Sequence, residues 1–276
     1  MKKILVTTDF SPNSTSGLLF AAQLATQMPA ELTFCHILHI LRPTSWDDAT
    51  FQMHKDAEIE KAHTELVDFV SDFYKNAGIQ LENLQYLVED NASTGTAVSQ
   101  YALKNTFDYI CISTRGAGFV KKIVGNNTSM LIKNAEVPVI TVPHHYQSQS
   151  PVSHILYASD LKHLEAELNK VVDFAKPLAA KVELLHFNTI AESLESEAVQ
   201  ATIAQFLDYK VEVHLENTDY VKSLVVNIQA AVEKSGASML VMFTEQNRTF
   251  FQKIFVSSKA AEYSFDSKVP MLTFKR

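Results

Sequence analysis

The chain repeats itself at a spacing of about half its length, and this constrains its fold more than any other feature. Ile4-Leu5-Val6-Thr7-Thr8-Asp9 returns as Ile155-Leu156-Tyr157-Ala158-Ser159-Asp160, and Val137-Pro138-Val139-Ile140-Thr141 returns as Val269-Pro270-Met271-Leu272-Thr273. Two more echoes lie between them in the same order: Leu32-Thr33-Phe34-Cys35-His36 against Val182-Glu183-Leu184-Leu185-His186, and Tyr109-Ile110-Cys111-Ile112 against Met239-Leu240-Val241-Met242. The period is too long for a solenoid, whose units are a few tens of residues. The expectation is a duplicated domain, each copy burying its own core, and 276 residues with 46% hydrophobic content suit two such cores.

Short apolar runs alternate with longer amphipathic stretches. Residues 3–8, 32–40, 84–88, 108–113 and 137–142 read as strands, too short and too continuously apolar for surface helices. Residues 14–28, 46–77, 94–105 and 126–135 read as helices, the second long and amphipathic, with Phe51, Ile59, Ala62, Leu66, Phe69 and Phe73 spaced by about three, four or seven. The second copy repeats the order with strands at 153–159, 181–187, 210–215, 237–243 and 269–274, and helices at 162–179, 191–208, 219–235 and 253–265. His36 to His186 is an offset of 150 and Tyr109 to Met239 one of 130, so the second copy is about twenty residues shorter between its second and third strands. The polar segment 144–152, bounded by Pro143 and Pro151, reads as the linker. Strand and helix alternating in this way predict parallel sheets with helices on both faces and right-handed crossovers.

Composition removes several classes of function. A formal charge of -7 lacks the basic face that broad nucleic-acid binding needs, so no nucleic-acid partner is expected. No apolar run approaches the roughly 20 residues that span a bilayer, and Met1-Lys2-Lys3-Ile4 runs directly into a strand pattern without a cleavage-site signature, so the expectation is a cytoplasmic protein without membrane contact. Cys35 and Cys111 sit in apolar strand runs and read as small buried hydrophobes. His36 and His186 read as hydrogen-bonded core histidines, and His144-His145 lacks acidic or Cys partners at ligand spacing, so no metal is expected. Neither copy contains Gly-x-Ser-x-Gly, and no Walker loop or dinucleotide fingerprint is present.

Open parallel sheets take ligands at the carboxyl ends of the strands that flank a reversal of strand order. Two segments stand at such ends. Thr7-Thr8-Asp9-Phe10-Ser11-Pro12 follows the first strand, and its Asp, Ser and Pro also suffice simply to start a helix. Ser113-Thr114-Arg115-Gly116-Ala117-Gly118 follows the fourth, and Gly125-Asn126-Asn127-Thr128 then opens a helix. Gly116, Gly118 and Gly125 are three of only seven glycines in the chain. Glycine lets backbone N–H groups approach an anion, and a helix N-terminus favours phosphate. Arg115, Lys121 and Lys122 add positive charge, so phosphate binding is read here against a mobile loop.

On these residues the chain resembles the universal stress protein family in its tandem two-domain form. The resemblance covers both halves: the Ile-Leu-Val-x-Thr-Asp-x-Ser type opening, the strand ending in His36-Ile37, the glycine loop and the closing Val-Pro-Val-Ile-x-Val strand. It implies an α/β fold of two tandem Rossmann-like domains, 1–145 and 152–276, each an open five-stranded parallel sheet of order 3-2-1-4-5, paired through their last strands as an intramolecular pseudo-dimer. ATP-binding members carry Gly, two residues, Gly, nine residues, Gly and then Ser or Thr. Here Ser113 stands at the first Gly, eight residues separate Gly116 from Gly125, and Asn126 replaces the hydroxyl residue.

Carried across by motif, the resemblance implies Asp9 and Ile37 beside an adenine, with Thr8 in the same candidate site. Ser113 and Gly116 would line the ribose and phosphates, and Gly125, Asn126 and Asn127 would hold the phosphates, with Arg115, Gly118 and Thr128 completing the candidate site. The implied ligand is an adenine nucleotide, ATP, in the first domain alone. The corresponding second-copy stretch, Phe243-Thr244-Glu245-Gln246-Asn247 through Phe255-Val256-Ser257-Ser258, has no glycine and carries an acid near the phosphate position. The implied role is binding and regulation in stress response, not turnover, with association into a homodimer open. Two alternatives remain: a nucleotide-independent scaffold with a closed site, and an adenylating enzyme.

Overall fold

The computed structural model describes residues 1–114, 126–188, 197–206, 209, 211–217, 224–244 and 268–276. The first half runs β1 (Lys2–Thr7), α1 (Thr15–Gln27), β2 (Ala30–Leu38), α2 (Asp48–Ala77), β3 (Gln85–Asp90), α3 (Thr94–Lys104), β4 (Tyr109–Thr114), α4 (Asn126–Asn134) and β5 (Val139–Pro143). The second runs β6 (His154–Ala158), α5 (Leu164–Ala175), β7 (Lys181–Asn188), α6 (Glu197–Ala204), β8 (Glu212–Asn217), α7 (Leu224–Ser235), β9 (Met239–Phe243) and β10 (Met271–Phe274). The helix expected over 253–265 lies outside the described residues.

Local chemistry sets the ends of α2. Asp47 accepts the Thr50 N–H at 2.7 Å as its N-cap, and Gly78 stops the helix at φ +68, a left-handed conformation that costs glycine nothing. Ala62, Leu66, Val70 and Tyr74, four residues apart, form its buried stripe, so the C-terminal half of the helix packs on the sheet. Its first three turns carry no buried residue.

Each half is an α/β unit with five parallel strands in the order 3-2-1-4-5. The two units join into a single ten-stranded sheet, β3-β2-β1-β4-β5-β10-β9-β6-β7-β8. The joint is antiparallel, with Ile140 opposite Leu272 and Thr141 opposite Met271. This pairing covers two fully buried strands that would otherwise be open edges.

A separate core for each copy is found on one face only. There, Leu5, Ile110 and Leu131 form one cluster, and Leu156, Ile228 and Leu240 another. On the opposite face a single cluster crosses the joint, taking in Phe20, Phe34 and Leu66 with Tyr157, Phe174 and Leu184. Tyr109 of β4 and Phe174 of α5 meet edge to face at 5.3 Å, which is how side chains of one half complete the packing of the other. The polar linker is tied down as well, since Gln23 and Gln27 of α1 hydrogen-bond to residues 146–152. Among the described residues no helix is long and apolar enough to cross a membrane.

Candidate functional site

Strand order reverses between β1 and β4, so their carboxyl ends flank a crevice. At the end of β1, the Thr8 N–H donates to Cys35 O at 3.0 Å, and the chain then turns through Phe10 at φ +60. A left-handed aromatic residue is strained by about 1–2 kcal/mol, and its surroundings fix it there. The Phe10 N–H donates to Thr8 Oγ1 at 3.1 Å, and Thr8 Oγ1 lies 2.7 Å from Ser14 Oγ. The Phe10 ring stacks on His36 at 4.2 Å, and His36 Nδ1 donates to Thr8 O at 2.9 Å. Asp9 stands exposed, its Oδ1 accepting the N–H and hydroxyl of Ser11.

Ser113 at the end of β4 is tied to α1. Its Oγ accepts the Gly17 N–H at 2.8 Å and the Ser16 hydroxyl at 3.0 Å, and donates to Ser14 O at 3.0 Å. The N-cap of α1, Ser14, makes no side-chain capping bond, so a hydroxyl from another strand takes its place. Gly17 allows the approach, because a Cβ there would lie 2.8 Å from Ser113 Oγ.

The structure therefore brings Thr8 and Ser113 together through Ser14, with Asp9 on the open side of the same turn. Ile37 is half-buried in β2 and packs against the core on the α3 and α4 face. Asn126 and Asn127 open α4, and Thr128 in its first turn is buried. Arg115, Gly116, Gly118 and Gly125 lie outside the described residues. Ser14, Ser16 and Gly17 were not singled out from the sequence, although a glycine among the serines of a helix's first turn marks a close approach.

The second half repeats the backbone bonds of this turn and its histidine contact, though not the Thr8–Ser14 hydroxyl pair or the Phe10–His36 stack. Ser159 N–H donates to Leu185 O at 3.0 Å, Leu161 N–H to Ser159 Oγ at 3.0 Å and Lys162 N–H to Asp160 Oδ1 at 3.1 Å. Leu161 has φ +63, and His186 Nδ1 donates to Ser159 O at 3.0 Å. What differs is the crevice itself. Arg276 Nη2 donates to Asp160 Oδ1 at 2.9 Å, and Arg276 Nε to Glu167 Oε1 at 2.9 Å. Glu167 is only 2% exposed. Sequence reading missed it, although a carboxylate at 167 interrupts the apolar stripe of Leu164, Leu168, Val171 and Ala175.

Electrostatics elsewhere are structural. Burial alone would raise Asp90, but the Lys55 ammonium at 2.8 Å, the Ile40 N–H at 2.9 Å and the nearby His39 hold its carboxyl below the usual range. Burial pushes the Cys35 and Cys111 thiols up to about 12, with Glu89 adding to the effect at Cys35, so neither is a ready nucleophile. Among the described residues no group of His, Cys, Asp or Glu is arranged to hold a metal ion. A cleft of about 510 Å³ between α5 and α6, lined by Leu161, His163, Glu165, Asn169 and Thr202, includes none of the residues expected to bind nucleotide.

Residues 1–143 match the family model described as the universal stress protein family. No curated protein matches the chain. Among solved structures, a universal stress protein from Archaeoglobus fulgidus DSM 4304 is similar at a TM-score of 0.70 and 17% identity, over 99% of this chain and 98% of that one. A functionally unknown protein from Pseudomonas aeruginosa PAO1 is similar at a TM-score of 0.56 and 15% identity, over 100% of this chain and 92% of that one. At such identities the likeness concerns the fold alone.

Proposed function

This chain belongs to the universal stress protein family, and we propose that it works there as an adenine-nucleotide-binding regulatory protein, with an ATP site in its first half. The observation that carries this reading is the crevice between β1 and β4. Asp9 stands exposed on one side, and β4 ends at Thr114 on the other. From there the sequence passes through Gly116, Gly118 and Gly125 to the N-terminus of α4, where backbone N–H groups and the helix dipole suit phosphate. Adenine would lie near Asp9 and Ile37, and the phosphates near Gly125 and Asn126. In this reading the domains at 1–145 and 152–276 form a pseudo-dimer whose second member holds the fold without nucleotide. Occupancy would act by altering residues 115–128 or the association state, and not through turnover.

One observation favours the alternative of a nucleotide-independent scaffold. The Ser113 hydroxyl, at the position of a family glycine, is fully engaged by α1, and Thr128 is buried. Calorimetry and thermal shift of the full chain with ATP and Mg²⁺ separate the two. The expected result is one site per chain, abolished by Gly125→Val, which imitates Val256 of the second copy, at unchanged fold. Absence of both heat and thermal shift rejects nucleotide binding and leaves the scaffold.

A further inference from the structure

In the second half a side chain of the protein itself occupies the place beside the aspartate of the repeated turn. Asp9 and Asp160 occupy the same place in the repeated turn, an offset of 151 residues. The same offset places Glu167 where the first half has Ser16, and Leu168 where it has Gly17. Thus, where the first half holds small uncharged groups, the second holds a buried carboxylate, in the first turn of α5 and seven residues after the aspartate that both share. A guanidinium sits between the two acids, its Nη2 on Asp160 and its Nε on Glu167. The second oxygen of Glu167 accepts from the Tyr157 hydroxyl, which lies 3.0 Å from Ser159 Oγ. Phe274 stacks on Phe243 at 5.1 Å, and Phe243 meets Tyr157 at 5.8 Å, which fixes the strand end from which Arg276 departs.

We infer that the second half contains a guanidinium site, formed by Asp160 and Glu167, and that Arg276 is its resident occupant in the place where the first half would hold a nucleotide. The planar fork of arginine reaches both carboxylates at once through Nε and Nη2, whereas a lysine ammonium offers a point charge. A site with two acids and one cation repels phosphate, so it takes a cation and not a nucleotide. Its occupancy locks β10, the strand that joins the halves, onto the turn after β6. The inference does not depend on ATP binding in the first half.

The test is chemical rescue in the full-length chain. Arg276→Ala should lower Tm by several degrees, because it leaves two acids facing each other, one of them buried. Guanidinium chloride at about 10–50 mM, far below the molar range in which it denatures, should restore much of that loss. Sodium chloride at equal ionic strength should not, and wild-type Tm should not rise. Arg276→Ala/Glu167→Gln should lose the rescue. Arg276→Lys keeps the charge and stem if the alanine variant folds poorly, and it should fall between wild type and alanine. A lysine variant as stable as wild type, or recovery equal in sodium and guanidinium, overturns the assignment. Nucleotide titration of Arg276→Lys supplies the control: its behaviour in the first half should match wild type whether or not ATP binds there.

Discussion

Gln27 reads the backbone of Val152 in both directions: the Val152 N–H donates to Gln27 Oε1 at 2.8 Å, and Gln27 Nε2 donates to Val152 O at 3.1 Å. One turn earlier Gln23 does similar work, accepting from the Tyr146 hydroxyl at 3.0 Å and donating to Ser150 O. The linker is therefore pinned to α1 along its length, and Val152 is fully buried at the point where it enters the second half.

Replacing Gln27 by Ala removes the partners of both the N–H and the C=O of Val152, at a cost of about 1–3 kcal/mol. Limited proteolysis should then cut residues 144–153 faster than in wild type, and amide exchange at Val152 should rise. Unchanged cleavage and exchange would show that the two bonds contribute nothing to the strap.

Gly17 and Ser113 should show a reversal of sign. Ser113→Ala leaves the Gly17 N–H without its acceptor, a loss of about 1 kcal/mol. Gly17→Ala in the wild-type chain forces a Cβ to within 2.8 Å of Ser113 Oγ and should destabilise. In the Ser113→Ala chain that clash is absent, and the helix preference for Ala over Gly, about 0.5–1 kcal/mol, should emerge as stabilisation. Denaturant titration of the four proteins measures the coupling, and simple additivity would count against the contact.

Asp90 gives an acid-side dependence. Its carboxyl is held below the ordinary value in the folded chain, so its contribution is complete above the unfolded-state value of about 4 and is lost as pH falls through the folded-state value. Wild type should exceed Asp90→Asn in stability at neutral pH, and the two curves should converge in acid. A gap that stays constant down to the acid limit would mean that the Lys55 and Ile40 contacts do not depend on the charge.

Much of the fold could be read from the chain because its signals are local. The continuous apolar runs at Ile4 to Val6 and Tyr109 to Ile112 became central strands. Of the stripe expected on α2, Ala62 and Leu66 are buried, but Val70 and Tyr74 continue it in place of Phe69 and Phe73, which are only partly buried. The features that escaped are settled between distant residues. Ser113 can turn toward a ligand or toward α1, and only the nearness of Gly17 decides for α1. Arg276 meets acids 109 and 116 positions away, a separation that no periodicity encodes. The shared core on one face was hidden for the same reason, since an apolar position does not say which half it will pack against. Glu167 escaped as well, although a charge on an otherwise apolar stripe was a local signal that could have found it.

The antiparallel joint between β5 and β10 fixes a direction as well as a contact. Strands of the two halves run in opposite senses through one continuous sheet, so the crevice beside Asp9 and the one beside Asp160 open at opposite ends of the molecule. A partner engaged at one end leaves the other uncovered. The two ends of the duplicated chain are thus unlike: Asp9 stands exposed at one, while at the other the matching Asp160 is already held by Arg276.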